Sequence, residues 1–232
     1  MNAIAHMIDC ASPLTAANCA GLKAAGVSYV GRYLGYKSRG WTKGLTPEEV
    51  SVIHAHGLGL SLIWEGDPVN VDYFSVHQGY LDAQGATEDL VWLGAPATTP
   101  TFATVDYDAI AGDMGVIRAY YAAFASGLKG RKDGIYGGTM VMDNVSAHAY
   151  WQACGWSNGV ISVRANIYQA TINQTVAGVQ VDLDDVYIDP GFWMPPVAKQ
   201  AAKPSNTLYD TGYNAGIDAA IAAIAKLKKQ GT

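Results

Sequence analysis

Pro100-Thr101-Phe102-Ala103-Thr104-Val105-Asp106-Tyr107-Asp108 reads as a short buried strand that ends in two carboxylates. Its residues are small or apolar, and no charge precedes Asp106. Side chains two apart on a strand leave the same face, so Asp106 and Asp108 are expected to point in one direction. Acids at the carboxyl end of a buried strand serve chemistry, a metal or a helix cap. The surrounding chain has to decide among these.

The same unit recurs on both sides of this stretch. Upstream, the apolar segments 3–9 and 58–64 end at Asp9 and Glu65, with a further strand at 27–34 between them. The Ala-rich segment 16–25 reads as a helix stopped by Gly26. Thr46-Pro47-Glu48-Glu49 is a helix start: a cap, Pro at the first helical position and Glu at the third. Residues 72–93 read as helix despite Gly79 and Gly85. Downstream come a helix at 113–128, a strand at 133–136, a helix at 139–154 that Met142-Asp143-Asn144 can interrupt, and a strand region at 160–169. Residues 174–187 read as closing strands with no full helix between them.

Strand–helix alternation with short connections implies an α/β fold with a parallel sheet and right-handed crossovers. Residues 1–190 fit a TIM-like (β/α) barrel, distorted where the last strands lack full helices. A doubly wound open sheet competes, but the Gly-x-Gly-x-x-Gly and Gly-x-x-x-x-Gly-Lys-Ser/Thr phosphate fingerprints are missing. Residues 191–232 then read as a linker or strap with Pro195, Pro196 and Pro204, followed by an amphipathic helix over 208–230. Ile217, Ile221, Ile224 and Leu227 lie near helical spacing on it. This helix is expected to pack on the barrel, self-associate or touch the cell envelope.

Composition narrows the function. Half of the 232 residues are apolar and 15% are charged, which supports a large core and argues against disorder. The net charge of -5 comes without a basic stripe, so no nucleic-acid partner is expected. No apolar run approaches the roughly 20 residues of a membrane span. The first ten residues lack a basic region followed by an apolar core, so synthesis in the cytoplasm without a secretory signal is expected. Cys10, Cys19 and Cys154 have no metal-like spacing and read as reduced thiols. The five histidines are scattered without a zinc pattern, and no Gly-x-Ser-x-Gly elbow is present. No cofactor is expected.

What stands out is the placement of acids. Asp9, Glu65 and Asp106 each end a strand, and Asp182 and Asp184 lie in the last one. In a parallel barrel the strand carboxyl ends share one face, so these residues converge. Clustered carboxylates repel, which lets one hold a proton near neutrality while another stays ionised. Glycoside hydrolysis needs such a pair. Plainer roles compete: Asp9 and Asp108 as helix caps, Asp184 and Asp185 as solvated turn residues. A hard cation such as Mg or Ca also suits an all-carboxylate set. Tyr33, Trp64, Tyr107, Tyr136 and Tyr168 lie in or beside strand ends and fit sugar stacking. With Arg32 and Gln169 they form the expected substrate-binding set.

The ordered segments Ile8-Asp9-Cys10-Ala11, Gly31-Arg32-Tyr33-Leu34, Lys43-Gly44-Leu45-Thr46-Pro47-Glu48-Glu49, Ile63-Trp64-Glu65, Phe102 to Asp108, Gly134-Ile135-Tyr136-Gly137 and Val181-Asp182-Leu183-Asp184 resemble the glycoside-hydrolase-like domains related to family 25 lysozymes. Such domains occur in phage endolysins and bacterial cell-envelope proteins. The resemblance implies a muramidase-like hydrolase of peptidoglycan glycan strands, released to the cell wall by a holin-type route. In family 25 lysozymes the fourth strand carries Asp-x-Glu with Glu as the acid; this chain has Asp106-Tyr107-Asp108. Glu65 is therefore assigned the general-acid role and Asp106 the base or stabilising role, with Asp9, Asp108 and Asp182 tuning charge. Two alternatives stay open. One is a non-catalytic or degenerate glycan-binding domain; the other is a metal-dependent cell-wall amidase or deacetylase.

Overall fold

The computed structural model describes residues 1–196. The expected tail helix at 208–230 lies outside the described residues. In chain order the elements are β1 (Ala5–Asp9), α1 (Ala16–Ala24), β2 (Val27–Tyr33), α2 (Tyr36–Arg39), α3 (Pro47–Ala55), β3 (Gly59–Trp64), α4 (Val76–Leu93), β4 (Thr101–Thr104), α5 (Met114–Gly127), β5 (Asp133–Gly137), α6 (Thr139–Asn144), β6 (Tyr150–Ala153), β7 (Ile167–Val176) and β8 (Val179–Val186). The eight strands close into a barrel in sequence order.

Strands β1 to β7 run parallel to one another, and β8 runs antiparallel to both β7 and β1. The distorted barrel read from the sequence is observed, with one strand reversed. The reversal comes from the two-residue turn Ala177-Gly178, both at positive φ (51° and 75°). This is the hairpin geometry that matches strand twist. Asn18 of α1 donates to the Ala177 carbonyl at 3.0 Å and ties the turn to the helix layer.

Local signals explain most elements. Thr46 caps α3 by accepting from the Glu49 backbone N–H, with Pro47 in the first turn. Ser75 caps α4, and Gly94 ends it in the left-handed conformation. The expected helix 139–154 is instead a short helix followed by a strand. The chain leaves α6 at Asn144, whose side chain folds back onto the Met140 carbonyl at 2.9 Å. Tyr150-Trp151-Gln152-Ala153 is buried on both faces and joins the sheet. The expected strand at 160–169 starts only at Ile167, because Val160 and Val163 point to solvent.

Two apolar layers result. Inside the barrel, Met7, Ile63, Phe102, Trp151, Ile167 and Val186 fill the lumen. Phe192, in the strap after β8, belongs to the same cluster and stacks on Tyr29 with ring centroids 3.7 Å apart. The second layer lies between the strands and the helices and includes Ile8, Leu22, Val30, Ile53, Leu62 and Trp64. Gly31 gives the lumen its room. A Cβ there would lie 2.6 Å from the Trp151 ring and 2.8 Å from the Asp9 Cβ.

One charged pair sits inside the outer layer. Arg32 points outward from β2 and is fully buried; its Nε donates to Glu49 Oε1 at 2.7 Å and its Nη2 to Oε2 at 3.1 Å. Its Nη1 donates to the Cys10 carbonyl at 2.5 Å, and the Leu14 N–H donates to Glu49 at 2.9 Å. The pair thus links β2, the loop after β1 and α3. Removing one partner of such a pair strands a buried charge and costs about 3–5 kcal/mol. Arg32→Ala should therefore lower the urea midpoint sharply, whereas Arg32→Met with Glu49→Leu should recover part of the loss. Equal midpoints for wild type and Arg32→Ala would contradict this account.

Candidate active site

At the carboxyl ends of the parallel strands, Asp9, Glu65, Asp106 and Asp182 line one cavity of about 250 Å³. Its walls include Tyr33, Thr104, Tyr136, Trp151, Trp156 and Gln169. The alternation of each strand selects these residues. Inward positions on β2, β4 and β5 bring Tyr33, Thr104 and Tyr136 to the mouth. β8 runs the other way, so its middle rather than its end reaches this face. The β1–β8 register sets Asp182 opposite Asp9, and Asp184 opposite Met7, one layer deeper.

A small set of donors holds the acids in place. Gln169 is 7% exposed; its Nε2 donates to Asp9 Oδ2 and to Asp182 Oδ2, each at 3.0 Å. Its carbonyl accepts from the Tyr136 hydroxyl at 3.0 Å. The Asn173 backbone N–H donates to Asp182 Oδ1 at 2.7 Å. Trp151 Nε1 donates to Asp184 Oδ1 at 2.8 Å. The second oxygen of Asp184 has no donor in reach among the described residues and interacts with Asp9. On the opposite wall Lys43 Nζ donates to Glu65 Oε1 at 2.7 Å and lies 4.4 Å from the Tyr33 ring centroid.

Burial and like charge raise the proton affinity of three of these acids. Asp9 is pushed up to about 7, first by burial; the Gln169 hydrogen bond opposes the shift and Asp182 adds to it. Asp106 is pushed up to about 6, first by burial and then by Glu65, with Lys43 working against it. Asp184 is raised well above the carboxylate range by burial and by Asp9. The arrangement supplies proton-holding and charged carboxylates within one cavity, which is what acid–base chemistry at an acetal requires.

Several expected residues lie elsewhere. Arg32 is locked to Glu49 in the helix layer and does not reach the cavity. Trp64 is buried behind β3, 5.2 Å from Trp41 between ring centroids. The Tyr107 hydroxyl donates to Asp113 at 3.0 Å, and its ring packs near Phe74. Tyr168 alternates with the inward Gln169 and faces away from the lumen. Asp108 is exposed and lines a separate surface depression. The strand has already ended at Thr104, so the two-residue spacing no longer fixes a common direction. The side chains that β4 and its exit turn send to the cavity are Thr104 and Asp106. Asp9 serves the cavity rather than a helix cap; Thr15 caps α1. Asp184 is a buried lumen acid rather than a turn residue.

Sequence reasoning missed Trp151 and Trp156. The first was hidden inside an expected helix; the second follows Gly155 in a loop with no periodicity to read.

Residues 20–193 match the model of the Rv2525c-like, glycoside hydrolase-like domain family. The chain belongs to this family. Among solved structures, the Tat-secreted Rv2525c protein of Mycobacterium tuberculosis, in complex with L-tartrate, aligns with a TM-score of 0.70 at 19% identity. That match covers 82% of this chain and 99% of the other. The modular autolysin LytC of Streptococcus pneumoniae, in complex with a synthetic peptidoglycan ligand, aligns at 0.53 and 12% identity over 79% of this chain and 46% of its own. The catalytic domain of the endolysin ply40, from bacteriophage P40 of Listeria monocytogenes, aligns at 0.50 and 18% identity over 80% and 94%. No curated protein sequence matches the chain. At these identities the likeness is one of fold: the family shares the barrel of lysozymes and endolysins.

The raised Asp106 has a direct stability consequence. Its folded-state value of about 6 lies above its unfolded value of 3.8. The folded protein therefore holds the extra proton, and the cost of ionising Asp106 grows as pH rises through that window. Asp106 makes no side-chain hydrogen bond among the described residues, so Asn should fit without leaving a partner unpaired. Asp106→Asn should match wild type near about pH 4 and exceed it above about pH 7, by on the order of 1 kcal/mol after allowance for partial exposure. Urea unfolding across that range checks the sign, and an Asn variant that is less stable at high pH would contradict it.

Proposed function

We propose that this protein hydrolyses the glycan strand of peptidoglycan, as a lysozyme-like muramidase. The observation that carries the reading is the single cavity that unites Asp9, Glu65, Asp106 and Asp182 beside Tyr33, Tyr136 and Trp151. Fold alone does not assign the activity; the acid set and its aromatic walls supply the chemistry.

In this reading Asp106 is the general acid and Glu65 the charged partner, the reverse of the roles expected from sequence. Asp106 is raised to about 6 and its carboxyl is free of side-chain hydrogen bonds, so it can hold a proton and deliver it to a leaving oxygen. Glu65 is held by Lys43 at 2.7 Å, so an ionised carboxylate faces the positive charge that develops on the sugar ring. Asp9 and Asp182, bridged by Gln169, set the local field and offer acceptors to sugar hydroxyls. Tyr33, Tyr136 and Trp156 supply stacking surface and hydroxyl contacts.

A second reading has its own support. Lys43 engages Glu65, and Asp108 points away from the cavity, so the set departs from the Asp-x-Glu pattern of family 25 lysozymes. A glycan-binding domain without turnover fits those two facts.

Digestion of purified cell walls separates the readings. The muramidase reading expects new reducing ends and soluble muropeptides, with activity falling as pH rises past about 6 as Asp106 loses its proton. Asp106→Asn should lower turnover by about 10²–10⁴-fold. Retained wall binding with no released product from the wild-type protein would sink the muramidase reading and support the binding domain.

A further inference from the structure

A second cavity, of about 720 Å³, opens beside the acid cavity, between the chain after α2, the turn after β3 and one face of α4. Glu65 lines both, so the two meet at the Lys43–Glu65 ion pair. A sugar held at the acids therefore has this space at its side. The volume falls within the range of about 300–1,000 Å³ that small-ligand pockets span.

The wall of this cavity carries one cation without an anion. Asp82 is buried and accepts from the Tyr73 hydroxyl at 2.6 Å, the Tyr120 hydroxyl at 2.8 Å and Gln78 Nε2 at 2.8 Å. Glu65 is paired with Lys43 at 2.7 Å, and Asp67 is exposed at the rim. Arg39 is exposed and makes no ion pair among the described residues. Its one hydrogen bond among them is a 3.3 Å contact to the Leu81 carbonyl, so its other donors are open to a ligand. Gln78 gives its Nε2 to Asp82, which leaves its carbonyl oxygen to accept an N–H. Beside these polar groups the half-buried Trp41 packs on Trp64 and offers an apolar surface.

These groups suit a short peptide with a carboxylate better than a further sugar of the strand. A neighbouring N-acetylglucosamine carries hydroxyls and an acetamido group and brings no anion to Arg39. In the muramidase reading the lactyl-bearing sugar itself sits at the acids. Its lactyl ether leaves the side of the ring, off the line of the glycosidic bonds, and continues as L-alanyl-D-glutamyl peptide. We propose that this second cavity binds the stem peptide of the sugar held at the acids, with Arg39 pairing the free D-glutamyl carboxylate. A planar guanidinium matches a carboxylate in geometry and charge; Gln78 accepts a peptide N–H and Trp41 covers the aliphatic part. The inference rests on the muramidase reading and deepens it: the preferred substrate is glycan that carries peptide, with the D-glutamyl carboxylate not amidated.

The test uses Asp106→Asn, in which turnover is suppressed, and three ligands built on N-acetylglucosaminyl-N-acetylmuramic acid. The first has its lactyl group capped as a methylamide and carries no peptide. The second carries L-alanyl-D-γ-glutamyl methylamide with a free α-carboxylate. The third is the same peptide with that carboxylate as the carboxamide. NMR titration should show the carboxylate peptide binding about tenfold more tightly than the carboxamide. Adding Arg39→Ala should erase that difference and leave the peptide-free ligand unchanged. Equal affinities for the two peptides, or a difference that survives Arg39→Ala, would overturn the stem site. Loss of the peptide-free ligand with Arg39→Ala would also overturn it, by placing a sugar there. Each of these results leaves the muramidase reading standing. Failure of all three ligands and of peptidoglycan fragments to bind would instead remove the glycan reading itself.

Discussion

Like charges crowded into one barrel mouth repel, and the upper half of this molecule is arranged around the few donors that offset that repulsion. Gln169 bridges Asp9 and Asp182, Trp151 holds Asp184, a backbone N–H from Asn173 holds Asp182, and Lys43 holds Glu65. Each donor comes from a different element from the acid it serves. The cluster therefore forms only when the strands are already in register, and a shift of one residue on any strand would turn its donor out of the lumen. The placement of the acids and the barrel register are one constraint here.

The same constraint sorts the acids by depth. Asp184, deepest, is raised well above the carboxylate range by burial, against the opposing pull of the indole N–H. Asp9 sits one layer higher and is raised to about 7; Asp106, nearer solvent, is raised to about 6. Burial thus grades the proton affinities down the barrel axis, and a single lysine biases the outer wall toward charge. A site of this kind needs no metal to set carboxyls of one chemical type to different tasks.

Much of the fold was legible because continuous apolar runs that end in acids mark buried parallel strands. The runs that close on Asp9, Glu65 and Asp106 did so, and Thr46-Pro47-Glu48-Glu49 started its helix where capping chemistry placed it. Legibility failed where periodicity carried no information. β6 is four residues long, and both of its faces are buried, so nothing separates it from the end of a helix. Arg32 next to Tyr33 looked like a binding pair, yet adjacent strand residues face opposite sides, and only the partner Glu49, seventeen residues away, reveals which side is which. Asp108 followed the strand's spacing rule past the point where the strand had ended. Asp184 was read both among the converging acids and as a solvated turn residue, because a reversed strand presents its interior, not its end, to the site.

The pairing of β1 with β8 brings Ala5 beside Val186, nearly the full length of the barrel domain apart in sequence. Contacts this distant are the last to repay their loop-closure entropy. Asp9 leaves the ribosome before every other acid of the site, while Gln169, Asp182 and Asp184 are among the last of the barrel. The cavity is thus assembled from the two ends of the barrel segment, and a nascent chain carries a disarmed half-site until its final strand has emerged and docked.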